Sequence, residues 1–176
     1  MDAAIRKAGE SPWSDKNIKT LCSGKVNVMT VKQAVQTGDI DAVLGPHGAA
    51  AILFETSTNY GHWIALIRVN DNTVEWFDSY GLYPNEELTM IPKGFASRTH
   101  QDAPYLAYML RDGGYTNLLF NEEPLQSSGR RVSTCGRWTA VRIAMKHISL
   151  KRFVDTFTGQ TLSPDDYVIL MTMAVN

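Results

Sequence analysis

The sequence predicts an α+β fold in which a small mixed or antiparallel sheet is flanked by helices and a long helix begins at Cys135. Three observations carry this reading. Two runs rich in apolar and β-branched residues, His62 to Val69 and Val74 to Ser79, flank Asn70-Asp71-Asn72, a turn signal. After Pro124 the apolar spacing becomes helical, with Trp138, Val141, Met145 and Ile148 on one face and Arg142 and Lys146 on another. Finally, 176 residues with 44% hydrophobic and 20% charged content suit one domain spanning 1–176. Such a domain buries roughly 70% of the surface its unfolded chain exposes and needs no disulfide or metal staple.

Taken in order, residues 1–13 carry Arg6, Lys7 and Glu10 with no apolar core, and read as a loosely held N-terminal arm. A short helix is expected from Ser14 or Asp15, with Ile18, Leu21 and Cys22 at helical spacing and Gly24 as the stop. A second runs from Thr30 to Thr37 and ends at Gly38. Gly45-Pro46-His47-Gly48 is a turn before a strand over Ala49 to Phe54. His62 to Val69 is apolar apart from Arg68, the pattern of a strand buried on both faces. Ala103 to Leu110 has helical spacing, Tyr115 to Phe120 reads as a further strand, and Phe153 to Phe157 as a short helix closed by Gly159. Ser163-Pro164-Asp165-Asp166 opens a last helix, with Ser163 as N-cap and Pro164 at the first helical position.

Composition narrows the function classes. A net charge of −1 argues against a general nucleic-acid binder, although a local basic patch remains compatible with it. Two cysteines with no paired spacing, Cys22 and Cys135, fit a reducing compartment and offer neither a disulfide framework nor a zinc site. The longest apolar run, Ala49 to Phe54, is far short of the roughly 20 residues of a membrane helix. These features lead us to expect a cytoplasmic protein, or one enclosed in a particle assembled in the cytoplasm, without metal, cofactor or membrane contact.

Four residues carry candidate chemistry. Cys135, in Ser133-Thr134-Cys135-Gly136, stands where a polar loop meets the long helix. A free thiol has a pKa of roughly 8.5. The open N–H groups and dipole of a helix N-terminus favour the thiolate, and a nearby imidazolium adds to this. Gly136 would let a substrate backbone approach closely. The competing reading is a small buried helical cysteine. His62, in Tyr60-Gly61-His62-Trp63, is placed to act as general base, with Trp63 packing or shielding the site. His47, His100 and His147 have no evident partner. Asp78 closes the returning strand among apolar residues, where a carboxylate is costly unless paired, and it is suited to orient His62. Register tests this. An even hairpin loop puts His62 and Asp78 on opposite faces, whereas an odd loop or a bulge makes them diagonal neighbours within reach of a hydrogen bond. We therefore expect an odd loop, with Asn72 left-handed, or a bulge. Gln126, nine residues before Cys135, is a candidate oxyanion donor beside the Cys135 amide.

Together, Gly-His-Trp at 61–63, Trp-Phe-Asp-Ser-Tyr-Gly at 76–81, Leu-Gln at 125–126 and Thr-Cys-Gly-Arg-Trp at 134–138 resemble the cysteine protease superfamily of adenain and the ubiquitin-like-protein proteases. Over about Leu44 to Leu150 the order His, Asp, Gln, Cys is that of the superfamily, and papain-like enzymes place the Cys first. The resemblance implies Cys135 as nucleophile, His62 as base, Asp78 as orienter and Gln126 with the Cys135 amide as the oxyanion pair. The Gln-to-Cys interval in the superfamily is usually six or seven residues, so the nine found here imply extra loop around Ser128-Gly129-Arg130-Arg131. The compact length is similar to the short maturation proteases of DNA viruses, virophages and Polinton-like elements. By resemblance, the substrate would be a capsid or core precursor cut near small residues, in host cytoplasm or virion, with Trp63 and Gly136 lining a narrow cleft. Isopeptidase action on ubiquitin-like modifiers, acyl transfer, and a non-enzymatic capsid-associated module are the other readings. Adenain's DNA and peptide activators raise the same question for the basic cluster Arg130, Arg131, Arg137, Arg142 and Lys146, which the net charge does not support.

Overall fold

In a computed structural model, which describes residues 3–129 and 132–175, a five-stranded mixed sheet is covered by helices on both faces. The elements run α1 (Ala3–Glu10), α2 (Asp15–Leu21), β1 (Asn27–Thr30), α3 (Val31–Thr37), α4 (Ile40–Leu44), β2 (Ala49–Ser57), β3 (Tyr60–Asn70) and β4 (Thr73–Asp78). They continue through short helical turns to α5 (Lys93–Ala96), α6 (Tyr105–Asp112), β5 (Asn117–Phe120), α7 (Cys135–Ala144), α8 (Leu150–Phe157) and α9 (Pro164–Thr172). The strands lie side by side in chain order; β2–β3–β4 pair antiparallel, and β1 and β5 join the two edges in parallel.

Local chemistry accounts for the ends of the helices. Ser14 and Thr30 each form a reciprocal capping box, with Asn17 and Gln33 respectively. Gly38 closes α3 at φ 69°, a left-handed position that favours glycine. Ser163 caps α9 with Pro164 in its first turn, as its sequence indicates. The central strands divide the core by alternation. Ala49, Ala51, Leu53, Trp63, Ala65, Ile67 and Phe77 pack against α2, α7, α8 and α9. Ala50, Ile52, Phe54, Ile64, Leu66, Val74 and Trp76 pack against α3, α4 and α6. Strand β3 is buried from His62 to Ile67, in keeping with its apolar sequence.

Two expectations are corrected. Residues 3–10 are not a loose arm but the helix α1, which packs on α9 with Ile5 and Ala8 turned toward the core. Gly9 permits this approach, because a Cβ there would meet Ile169 Cδ1 at 2.8 Å. The arm's end is equally fixed, with Trp13 only 5% exposed. The helix after Cys135 ends at Ala144 rather than at Ile148, and it has no solvated basic face: every residue from Cys135 to Ile143 is buried. Arg142 sits inside, forking onto Glu75 at 2.6 and 2.8 Å and donating to the carbonyls of Met145 and Ile148. It thereby binds two carbonyl groups just beyond the helix, the Met145 carbonyl also accepting the Ile148 N–H at 3.1 Å. Arg137 is buried as well, its guanidinium 4.8 Å from the Trp13 ring centre and bonded to Thr172 Oγ1 at 2.6 Å. Neither arginine is available to a polyanion, while Arg130 and Arg131 lie outside the described residues.

Breaking one partner of a buried, hydrogen-bonded ion pair leaves the other charge uncompensated. Arg142→Met is therefore expected to cost about 3–5 kcal/mol in urea unfolding, and pairing it with Glu75→Leu to recover a large part of that loss.

Candidate active site

The hairpin of β3 and β4 determines where His62 and Asp78 meet. Asn70 pairs with Thr73 around a two-residue turn, a register that would separate His62 from Asp78. Val69 then stands as one extra residue between Arg68 and Asn70, and beyond this bulge Arg68 pairs with Val74 and Ile64 with Asp78. Of the two devices expected to bring the pair together, the bulge is the one present. Asn72 does not adopt the left-handed conformation expected of it; its N–H donates to Asn70 Oδ1 at 3.1 Å, which stabilises the turn locally.

Past the bulge His62 overhangs the end of β4 on the face shared with Asp78. His62 Nε2 and Asp78 Oδ2 are 2.7 Å apart, with His62 6% exposed and Asp78 fully buried. The second carboxylate oxygen accepts the Tyr80 N–H at 2.6 Å. Asn121 brackets the Asp78 backbone, accepting its N–H at 3.1 Å and donating to its carbonyl at 2.6 Å. The carboxylate thus has little freedom to turn, and Nδ1 is the imidazole nitrogen left for another partner.

That partner is the Cys135 thiol at the start of α7. The helix is held against β3 by Thr139 Oγ1, which donates to the Trp63 carbonyl at 3.1 Å. Thr134, at the N-cap position, does not cap the helix with its side chain, so the first-turn N–H groups stay available to the thiol. Burial pushes the Cys135 thiol up, but hydrogen bonding and charge from His62, with the backbone N–H groups of Trp63 and Gly136, bring it below its ordinary value. Burial likewise pushes the His62 imidazole down, and Asp78 and Cys135 outweigh this to raise it to about 10. Cys22 is the contrast: burial pushes its thiol up to about 11, with Lys146 opposing only in part.

Gln126 is brought to the same site and is 4% exposed. Its N–H and that of Leu125 both donate to the Ser79 carbonyl, at 2.8 and 2.9 Å, and Ser79 Oγ donates to Gln126 Oε1 at 2.7 Å. Gln126 Nε2 donates to Tyr80 Oη at 3.1 Å and to the Val132 carbonyl at 3.4 Å. Trp63 and Cys135 share the lining of a cavity of about 550 Å³ with Trp13, Leu53, Met29 and Tyr60. Gly136 is needed for a reason other than the expected approach of substrate. A Cβ there would stand 2.7 Å from Trp13 Cβ and 3.2 Å from Trp63 Cδ1, so the glycine lets two tryptophans close on the helix start. Trp63 Nε1 in turn donates to the Trp13 carbonyl at 3.1 Å.

Three residues of the site had no role in the sequence reading. Tyr80 stacks on His62 with ring centres 4.9 Å apart, and burial, followed by the charge of Cys135, raises its phenol to about 12. Glu87 is fully buried and bonded to the Trp76 indole at 2.8 Å; burial and then the Asp78 charge raise its carboxyl to about 7. Trp13 comes from the segment read as an arm. Tyr80 stands within Trp-Phe-Asp-Ser-Tyr-Gly, two residues past Asp78, as His62 is two residues before Ile64, the partner of Asp78. The turn there is closed by the Gly81 N–H on the Asp78 carbonyl at 3.0 Å.

No family model matches the sequence. The uncharacterized protein V9 of Sputnik virophage is 34% identical over 164 residues, covering 91% of this chain and 93% of V9. The chain belongs to the family of this virophage protein. Among solved structures, the crystal structure of the ASFV pS273R protease superposes with a TM-score of 0.50 at 15% identity, covering 94% of this chain and 68% of that one. The fold is thus the protease fold to which the order His, Asp, Gln, Cys pointed. Among the described residues, no helix is long and apolar enough to cross a membrane.

The paired shifts set a pH window. The thiolate persists down to a pH below the ordinary thiol value, and the imidazolium persists up to about pH 10, so the two charged forms coexist between those limits. Iodoacetamide is expected to alkylate Cys135 at a pH below the ordinary thiol range, where Cys22 stays unlabelled. In His62→Ala the largest offset to the burial of the thiol is lost and only the Trp63 and Gly136 N–H groups remain, so the Cys135 labelling profile should shift to higher pH, as read by mass spectrometry.

Proposed function

We propose that the protein is a cysteine endopeptidase that processes precursor proteins of a virus or virophage particle, in host cytoplasm or virion. The observation that carries this is a buried cysteine coupled to an imidazole whose other nitrogen is fixed, at 2.7 Å, to a fully buried carboxylate. A binding module has no need to keep such a charge pair out of water, where it is costly to hold. The protease fold and the virophage origin of V9 support the reading.

In the proposed reaction the Cys135 thiolate attacks the scissile carbonyl carbon and forms a C–S bond, while the carbonyl π pair moves onto oxygen. The Cys135 N–H and Gln126 Nε2 donate to this oxyanion; the 3.4 Å contact of Gln126 with Val132 is the weaker of its two and the one exchanged. As the oxyanion collapses the C–N bond breaks, and the His62 imidazolium gives its proton to the departing amine. The now neutral imidazole takes a proton from water, whose oxygen attacks the thioester. Collapse releases the acid, and Cys135 leaves as thiolate beside the reprotonated His62. Asp78 keeps the ring oriented and stabilises its charge throughout. Trp13 and Trp63, pressed on Gly136, narrow the approach to the thiol and suit substrates with small residues at the cleaved bond. No DNA or peptide activator is required by this reading.

Incubation with a proteome-derived peptide library, read by mass spectrometry, is expected to give cleavages beside Gly or Ala that are absent with Cys135→Ala. Gln126→Ala should slow them by roughly 10²–10³, the usual loss for one oxyanion donor. Identical peptide patterns from the wild type and Cys135→Ala would refute peptidase activity.

A further inference from the structure

The two donors invoked for the oxyanion lie at opposite ends of one loop. Gln126 precedes it, Cys135 follows it, and the loop is longer than the superfamily interval. A single carboxylate reaches both ends. Asp165 Oδ2 accepts the N–H of Ser127, the residue after Gln126, at 2.8 Å. Asp165 Oδ1 accepts the hydroxyl of Thr134, the residue before Cys135, at 2.5 Å, and the indole N–H of Trp138, one turn into α7, at 3.2 Å. Asp165 is only 6% exposed.

The usual role of an aspartate in the first turn of a helix is to serve that helix. Here the neighbouring Asp166 has that role: it takes the Ser163 hydroxyl on its carboxylate at 2.8 Å and returns its own N–H to Ser163 Oγ at 3.2 Å. Among the described residues, the three donors to the Asp165 carboxylate all come from outside α9. Thr134 is diverted by it as well. Its hydroxyl stands at the N-cap position, where it would ordinarily accept a first-turn N–H of α7, and donates to Asp165 instead. One group therefore ties the Gln126 and Cys135 segments together, beside the uncapped start of α7.

We propose that Asp165 is a positioning residue for the oxyanion site, acting through Ser127 and Thr134 rather than on the thiolate–imidazolium pair. The proposal rests on the peptidase reading. It separates two reactions of the same sulfur. Alkylation by iodoacetamide displaces iodide at carbon and develops no oxyanion. Acylation by p-nitrophenyl acetate passes through a tetrahedral oxyanion before nitrophenolate leaves. Asp165→Asn keeps an oxygen for Thr134 and Trp138 but turns an amide N–H toward the Ser127 N–H.

The full chain is assayed with both reagents. Asp165→Asn is expected to leave the rate and pH profile of Cys135 alkylation within twofold, while the acylation burst slows by roughly 10–100-fold, part of the loss known for a missing donor. Thr134→Val removes one donor without changing side-chain shape, and serves if Asp165→Asn fails to fold. Its acylation should slow by several-fold with alkylation again unchanged. Equal loss in both reactions would mean that Asp165 merely stabilises the fold, and loss in neither would mean that it has no part in acylation; either result overturns the proposal. If wild-type Cys135 reacts no faster than Cys22 with iodoacetamide, the peptidase reading itself fails, an outcome visible before any variant is compared.

Discussion

The site depends on one extra residue in a hairpin. A two-residue turn places Asn70 opposite Thr73, and continued without interruption that register would send His62 and Asp78 to opposite faces of the sheet. Val69, half exposed on the bulge, uses up one step of β3 and no step of β4. The imidazole and the carboxylate then share a face at the sheet's end, 2.7 Å apart. The arrangement is local to the hairpin, yet α7 must arrive at the same end for it to matter. Thr139 on the Trp63 carbonyl and Arg142 on Glu75 bind α7 to the very two strands whose register the bulge defines. Cys135, His62 and Asp78 are therefore referred to a single pair of strands.

Burial opposes each charge that the site needs. It pushes the Cys135 thiol toward its neutral form and the His62 imidazole toward its own. Each group offsets this for the other by supplying the opposite charge, and Asp78 supports the imidazolium from the far side. Cys22 shows the result without such a partner: comparably buried, its thiol rises to about 11. The two cysteines of the chain thus differ in chemistry through their neighbours rather than through exposure.

Much of this was legible in the sequence, for reasons that can be named. Capping residues gave the starts of α2, α3 and α9, because Ser14, Thr30 and Ser163 act through bonds three residues long. The order of His62, Asp78, Gln126 and Cys135 was readable because chemistry restricts the residue types, and the need for a bulge followed from the two-residue pleat. What the sequence concealed was long-range. Helix α1 has few apolar residues and looks solvated until Gly9 is seen against Ile169. Arg137 and Arg142 read as a basic face, since only the fold shows that Trp13, Thr172 and Glu75 wait for them inside. Strand β1 escaped notice because four partly buried residues on an edge give no alternation to detect.

The buried acids around the site are held by different means. Glu75 faces the permanent charge of Arg142, far along α7 from the thiol. Asp78 faces an imidazole whose charge changes during the proposed cycle. Glu87, with one indole donor and Asp78 close by, is raised to about 7, which limits the negative charge accumulating beneath the dyad at neutral pH. Asp165 is held by the dipoles of a backbone amide, a hydroxyl and an indole. A cation in its place would compete with His62 for the thiolate, and a mobile acid would repel the oxyanion. Fixed dipoles hold this carboxylate where it ties Ser127 and Thr134 together, next to the two proposed oxyanion donors.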